Sequence, residues 1–300
     1  MDNRVLITGA GGFVGAHLAR ALLASGFEVF SSRADILEGN SLADELRDFK
    51  PQILVHLAAI SHPATCDQDP ARAVAVNVSG TERVLDLAAR HAPLERVIFA
   101  STAQVYAPQV GAEVLLAEDS PLGPINHYAA TKLRAEEVVR DFAQAESVQS
   151  VIFRIFNHVH RSQPAQTFLS SLYQSMLVAA QGDRRVRVGN LDLYRDIGSI
   201  GDLLRAFVTV AGVEIQGWNS VEILNVCNGR GRLLRGLAHI LAEKVGGEFE
   251  FVLDPSRLRY GEPYRLVGSH ALATKKLGWT PQVASDEELI HAFLGEVMSG

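Results

Sequence analysis

The 300-residue sequence predicts an α/β protein built on a doubly wound parallel sheet, joined to a smaller mixed α/β lobe. Three observations predict it: short apolar runs alternate with longer stretches of helical period through the first half, a glycine-rich turn directly follows the first such run, and the alternation fades after Arg154. Strands are expected at Arg4–Ile7, Glu28–Ser31, Ile53–Leu57, Arg96–Ala100 and Ser150–Arg154, with helices at about 13–25, 41–49, 71–91 and 128–145 between them. Each strand run is nearly continuous in Val, Ile, Leu and Phe, as required when helices cover both faces of a parallel sheet. Beyond Arg154, Gly, Pro and Arg become more frequent, while Glu222–Val226 reads as a strand that can return to the first sheet. The expected division is therefore residues 1–156, with about 196–228 added, for the sheet domain, and 157–195 with 229–300 for the second lobe.

Composition sets the class. Hydrophobic residues make up 47% and charged residues 21%, ordinary for a folded globular chain. A net charge of −6 gives no general pull toward nucleic acid or an anionic membrane, and no apolar run reaches the roughly 18 residues of a membrane span. An anionic ligand must be met by local cations. Residues 151–300 hold 13 Arg but only 3 Lys, and the planar guanidinium fork suits a pair of phosphates. Cys66 and Cys227 are too few for a disulfide framework and lack metal-type spacing, and the first residues lack the order of a signal peptide, so the cytoplasm is the expected location. His158 and His160 can share a face, but no third ligand of suitable spacing accompanies them; a packing or substrate contact is expected rather than a metal.

The glycine-rich turn runs Thr8-Gly9-Ala10-Gly11-Gly12-Phe13-Val14-Gly15. Gly9 can turn the chain tightly, Gly12 lets a pyrophosphate approach the backbone, and Gly15 lets the helix pack against the strand. Placed between the first strand and first helix, this spacing predicts a Rossmann-type dinucleotide site, with phosphates held at the helix N-terminus. The second strand ends Phe30-Ser31-Ser32-Arg33 without the carboxylate that usually meets the ribose 2′-hydroxyl of NAD. Arg33 with Ser31 or Ser32 can instead hold a 2′-phosphate, so NADP is expected, with NAD as the alternative.

Tyr128 and Lys132 stand four apart near the start of an expected helix and share one face. An ammonium about 5 Å from the phenol, at an effective dielectric near 20, favours the phenolate by about 3 kcal/mol. A tyrosine so tuned can pass a proton to or from a sugar oxygen as hydride moves. The fourth strand runs into Ser101 and Thr102 at its carboxyl end, where ligands bind in open parallel sheets. Thr102 can hydrogen-bond the reacting oxygen.

Taken in order, GxxGxxG, His56-Leu57-Ala58-Ala59, Asn77-Val78-Ser79-Gly80-Thr81, the Ser101-Thr102…Val105-Tyr106 run and Tyr128…Lys132 resemble the extended short-chain dehydrogenase/reductases across essentially the whole chain. The resemblance implies that Thr102, Tyr128 and Lys132 form a catalytic triad, with Lys132 also holding the nicotinamide ribose. It implies adenine contacts at Asp35 and Ile36, and cofactor contacts at Phe13, Val14, Leu57, Ala58, Ala59, Asn77 and Ser101. Ala107 departs from the pattern, where Gly commonly follows the Val-Tyr pair.

In the second half, Arg154-Ile155-Phe156-Asn157-His158, Val188-Gly189-Asn190-Leu191-Asp192 with Arg195-Asp196, and Asp254-Pro255-Ser256-Arg257-Leu258-Arg259 resemble the branch acting on GDP-linked deoxyhexoses, its 4-ketoreductases above all. That resemblance implies diphosphate and ribose contacts at Asn157, Arg195 and Arg259, with Asn190 near the base and Gln104 and Glu262 also facing substrate. The alternative for Arg195 or Arg259 is an ion pair with Asp196 or Glu262. Dehydratases of this branch carry a carboxylate two residues past the catalytic Thr; Gln104 stands there, and an amide cannot serve as a general base. The expected function is thus an NADP-dependent reductase converting GDP-4-keto-6-deoxymannose to GDP-rhamnose or its C4 epimer. A nucleotide-sugar epimerase, a GDP-mannose 4,6-dehydratase and a non-catalytic scaffold or sensor remain the alternatives, the last disfavoured because binding needs no proton donor. Helices near 71–91 and 128–145 resemble those that pair across a homodimer in this family.

Overall fold

In the computed structural model, which describes residues 3–38, 40–108, 114–214, 217–258 and 261–295, the alternating first half builds a parallel sheet of six strands. These are β1 (Arg4–Thr8), β2 (Glu28–Ser31), β3 (Ile53–His56), β4 (Arg96–Thr102), β5 (Gln149–Ile155) and, from the second half, β9 (Val221–Val226). They lie in the order β2-β1-β3-β4-β5-β9, so the chain leaves β1 to one side for β2 and returns on the other for β3. The crevice beyond the carboxyl ends of β1 and β3 is the switch point at which such sheets bind ligands.

Successive strand residues face opposite layers, and both layers are apolar. Val5, Ile7, Val55, Ile98 and Phe153 face α1 (Phe13–Ala24) and α8 (Ile200–Gly212). Leu6, Leu54, Val97, Phe99 and Ile152 face α2 (Asn40–Phe49), α5 (Gly80–His91) and α6 (His127–Glu146). Between β3 and α5 lie two short helices, α3 (Pro63–Gln68) and α4 (Pro70–Val74). The helix expected over 71–91 is therefore α4 and α5 joined by a π turn at Ala75–Ser79. The wider turn fits one extra residue into the helix and sets Asn77 against the loop after β3.

The second lobe has its own core. Here β8 (Tyr194–Ser199) lies between β10 (Gly231–Leu233) and β12 (Arg265–Leu266), and β6 (Asn157–Val159) also pairs with it. β7 (Arg185–Val188) pairs in parallel with β11 (Glu250–Leu253). Apolar faces of α7 (Phe168–Ala179), α9 (Leu234–Val245) and α11 (Asp286–Leu294) close this core. Two boundaries differ from expectation. Residues 196–199 stay in the second lobe's sheet, because β8 is its central strand, and the return to the first sheet begins with α8. Conversely, Ala273 on α10 (Ala271–Leu277) and Trp279 pack into the core of the large sheet, where the Trp279 indole donates to the Asp202 carbonyl at 3.0 Å. No helix among the described residues is long and apolar enough to cross a membrane.

Candidate active site

The glycine turn closes at the switch point. Gly9 has φ +71°, and a Cβ there would lie 2.6 Å from the Ala58 nitrogen and 2.9 Å from the Leu57 carbonyl carbon, so a side chain is excluded by conformation and by space. At Gly15 a Cβ would come within 2.5 Å of the Gly9 oxygen, which explains the third glycine as close packing of α1 on the turn. The N-cap of α1 is Gly12, no side-chain hydrogen bond caps it, and no acidic residue sits in its first turn. Unclaimed helix N–H groups beside open backbone fit a dinucleotide pyrophosphate. Leu57, Ala58 and Ala59 form the facing wall, tied to β1 by a hydrogen bond from the Leu57 N–H to the Thr8 carbonyl. Phe13 stacks flat on His158 at 5.9 Å, giving that histidine a packing role, and Val14 packs against the sheet core.

At the end of β2, Arg33 is exposed, whereas Ser32 is buried and donates its hydroxyl to Glu45 of α2 at 2.5 Å. The fold thus brings a carboxylate to a place where the local sequence shows none. The Ser32 hydroxyl is thus engaged within the fold, whereas Arg33 and Ser31 are exposed. Asp35 accepts from the Leu37 N–H at 2.9 Å and fixes its own turn. Ile36, expected against adenine, packs on Gly80 of α5 within the core, where the loop after β2 folds inward.

Thr102 ends β4, and its hydroxyl accepts from the Gln104 N–H at 3.3 Å and stands close enough to the Tyr128 phenol to act on its acidity. Asn126 starts α6 by accepting from the Ala129 N–H at 2.8 Å, and so fixes Tyr128 in the first turn. Lys132, one turn on, is almost fully buried with its ammonium 4.0 Å above the Phe99 ring. Burial pushes the Tyr128 phenol up to about 12, the Thr102 hydrogen bond pulling the other way. Burial also pushes Lys132 down to about 7, opposed by the charge of Glu136. Desolvation dominates both groups, and the Lys132 ammonium stands over the Phe99 ring rather than lowering the phenol as the four-residue spacing led one to expect. Free Tyr128 is a proton donor.

Ser101 and Asn77, both expected at the cofactor, commit their side chains to the scaffold. The Ser101 hydroxyl donates to Glu136 at 2.6 Å; Arg154 grips the same carboxylate through two nitrogens at 3.0 and 2.9 Å, and Arg140 adds a contact at 2.9 Å. Ser101 is drawn inward because this buried carboxylate needs donors on every side. Asn77 accepts from the Ile60 N–H and donates to the Ile60 carbonyl and the Thr131 hydroxyl, which uses both of its amide hydrogens inside the fold. Its neighbour Thr81 donates to the Asn77 carbonyl at 2.7 Å and therefore accepts from His56 Nε2–H at 3.0 Å, which leaves His56 Nδ1 to accept the Thr8 hydroxyl at 2.6 Å. Burial pushes His56 down to about 3, so this neutral tautomer persists at any working pH, pinning the carboxyl ends of β1 and β3 to α5.

On the substrate side the expected residues are partly gathered. Gln104 is half-buried beside Thr102, and Asn157 is exposed at the start of β6. Asn190 is exposed, with its oxygen accepting from the Asp192 N–H. Arg195 is mostly buried and paired with Glu262 at 2.8 Å, with a further bond to the Tyr194 carbonyl. Arg195 thus makes the ion pair with Glu262, because a buried guanidinium needs a compensating charge. Arg259 lies outside the described residues. Glu45, Glu136 and Asn126 were not marked by the sequence; their signals, a polar residue four after Lys132 and an Asn just before the helix, exist but carry no chemistry until the fold supplies partners.

Residues 5–227 match the model of the family described as NAD dependent epimerase/dehydratase. The GDP-6-deoxy-D-mannose reductase of Pseudomonas aeruginosa is 30% identical over 96% of this chain and 95% of its own length, and a UDP-glucose 4-epimerase of Azospirillum brasilense is 28% identical over 93% and 87%. The structure of RMD from Pseudomonas aeruginosa complexed with NADPH superposes with a TM-score of 0.88 at 29% identity, covering 97% of each chain. With a glycine turn, a Thr–Tyr–Lys group and these matches along nearly its full length, the chain belongs to the NAD dependent epimerase/dehydratase family.

Proposed function

We propose that the chain is an NADPH-dependent reductase that converts a nucleotide-linked 4-keto-6-deoxyhexose, GDP-4-keto-6-deoxymannose first among them, to the corresponding 4-hydroxy sugar. The observation that carries this reading is the gathering of Thr102 at the carboxyl end of β4 with Tyr128 and the buried Lys132 in the first turns of α6, with Gln104 in place of a carboxylate two residues beyond Thr102. A reduction needs a proton for the new alkoxide oxygen, whereas an elimination needs a base that Gln104 cannot be. The relation to a GDP-6-deoxy-D-mannose reductase and to a structure holding NADPH supports the substrate class and the cofactor.

When bound, the reduced nicotinamide supplies hydride to the carbonyl carbon. Tyr128 gives its proton to the oxygen, Thr102 orients that oxygen, and Lys132, one turn further along α6, holds the nicotinamide ribose. Phe13, Val14 and the Leu57–Ala59 wall hold the dinucleotide, with Arg33 and Ser31 on the 2′-phosphate. Asn157 and Asn190, with Arg259, receive the nucleotide end of the substrate, and Arg195 joins them by exchanging Glu262 for a diphosphate. The second lobe supplies that surface. The chain works in a reducing cytoplasm, with Cys66 and Cys227 free, and pairs as a homodimer through α5 and α6.

The test is product identification: the purified chain incubated with NADPH and GDP-, UDP- or dTDP-linked 4-keto-6-deoxy sugars, read by absorbance at the nicotinamide band and by mass spectrometry of the sugar nucleotide. One NADPH oxidised per keto sugar reduced, best with the GDP form, is the expected result; no NADPH consumed with any of them overturns it. The second reading, a 4-epimerase, rests on the Azospirillum brasilense relative. It predicts interconversion of C4 epimers without net NADPH oxidation and a cofactor retained through purification.

A further inference from the structure

Gln104 and Asn126 lie two residues after Thr102 and two before Tyr128, and their side chains meet. Their amides are locked in one sense. The Ala129 N–H can only donate, so Asn126 must turn its oxygen to it, at 2.8 Å. The Asn126 nitrogen is then the atom left facing Gln104, and it donates to the Gln104 oxygen at 3.0 Å. This uses Gln104's acceptor and leaves its NH2 as the only free end; no partner for it occurs among the described residues. Both side chains are half-buried, so the pair is not part of the sealed core.

We propose that Asn126 acts as a positioning residue that orients Gln104 to present a hydrogen-bond donor to the substrate carbonyl beside Thr102 and Tyr128, so that the site selects a keto sugar over its alcohol and stabilises the oxygen as negative charge grows on it. The proposal rests on the reductase reading. It gives the amide in this position a role: an outward NH2 attracts an oxygen gaining charge. It also extends the role of the α6 N-cap from stopping the helix to setting the polarity of the cleft.

A double-mutant cycle tests it. Asn126→Asp preserves the helix cap, since Asp accepts from the Ala129 N–H equally well. It removes the donor to Gln104, so the Gln104 amide reverses and its oxygen faces the cleft. Gln104→Met removes the amide at similar volume and leaves the cap untouched. With NADPH and GDP-4-keto-6-deoxymannose, each single variant is expected to lose about 10- to 100-fold in kcat, with KM for NADPH and Tm held. In the Gln104→Met background Asn126→Asp is expected to add less than about 2-fold, since its effect passes through Gln104. Additive losses, or an Asn126→Asp variant as active as the parent, overturn the proposal while leaving the reductase reading standing. A parent chain that does not oxidise NADPH with the keto sugar overturns both.

Discussion

At the scale of single residues, the chemistry depends on which groups burial leaves charged. Tyr128, pushed up to about 12, keeps its proton throughout the working range, so Tyr128→Phe is expected to lower kcat about 10²- to 10⁴-fold while NADPH still binds, as read by fluorescence titration. Lys132 is the group that titrates. Held down at about 7, it is an ammonium below that pH and neutral above it, so kcat/KM for NADPH, which reports the free enzyme, should fall as pH rises through about 7. Lys132→Arg, which cannot lose its charge, should remove that limb even if it lowers the plateau. On the proposed reading, a 2′-phosphate at the β2 end meets Arg33 and is opposed by Glu45. Arg33→Ala is expected to raise KM for NADPH about 10-fold with little change for NADH, and Glu45→Gln to lower KM for NADPH; equal effects on the two cofactors would place the 2′-phosphate elsewhere. Arg33 could be read from the sequence because it adjoins the strand, but Glu45 could not, since it reaches Ser32 from a helix that begins several residues later.

At the scale of elements, loops and helix starts carry the site, and buried polar links hold them. The strands and the glycine turn were legible because period and continuous apolar runs state them locally. The π turn before α5 was not, because the extra residue is stabilised by Asn77 reaching the distant Ile60 main chain and Thr131. Ile36, Ser101 and Asn77 were assigned to the cofactor by motif position, yet each faces inward for a partner that only the fold supplies. Asp196 on β8 makes the same point in the second lobe: fully buried, its carboxylate accepts the backbone N–H groups of Asn228 at 2.6 Å, Gly229 at 2.8 Å and Gly268 at 3.2 Å, joining three segments. Asp196→Asn replaces an acceptor with a donor facing donors and is expected to cost about 3 kcal/mol in urea unfolding. Burial raises Asp196 to about 6, above its ordinary value of 3.8, so the folded state binds a proton more tightly than the unfolded one. Asp196 thus contributes a rise in stability as pH falls from about 6 to about 4, a rise Asp196→Asn should remove.

At the scale of the whole molecule, the large sheet presents a dinucleotide crevice and the second lobe closes over the carboxyl ends of its strands. The broad division was visible in the change of pattern after Arg154. The exchange of segments was not, because β8 belongs to the second lobe while α8, β9 and Trp279 complete the first, and neither preference shows in local period. A cofactor spanning the crevice should therefore stabilise the sheet core, by about 2.7 kcal/mol at 100 times its Kd, read as a rise in Tm with NADPH. The most direct measurement of the central claim, that a protonated Tyr128 beside Thr102 completes a carbonyl reduction, is single-turnover oxidation of NADPH with GDP-4-keto-6-deoxymannose by the parent chain and by Tyr128→Phe. The account predicts full oxidation with stoichiometric 4-hydroxy sugar for the parent and a rate at least about 100-fold lower for the variant. A variant that turns over at the parent's rate would contradict it.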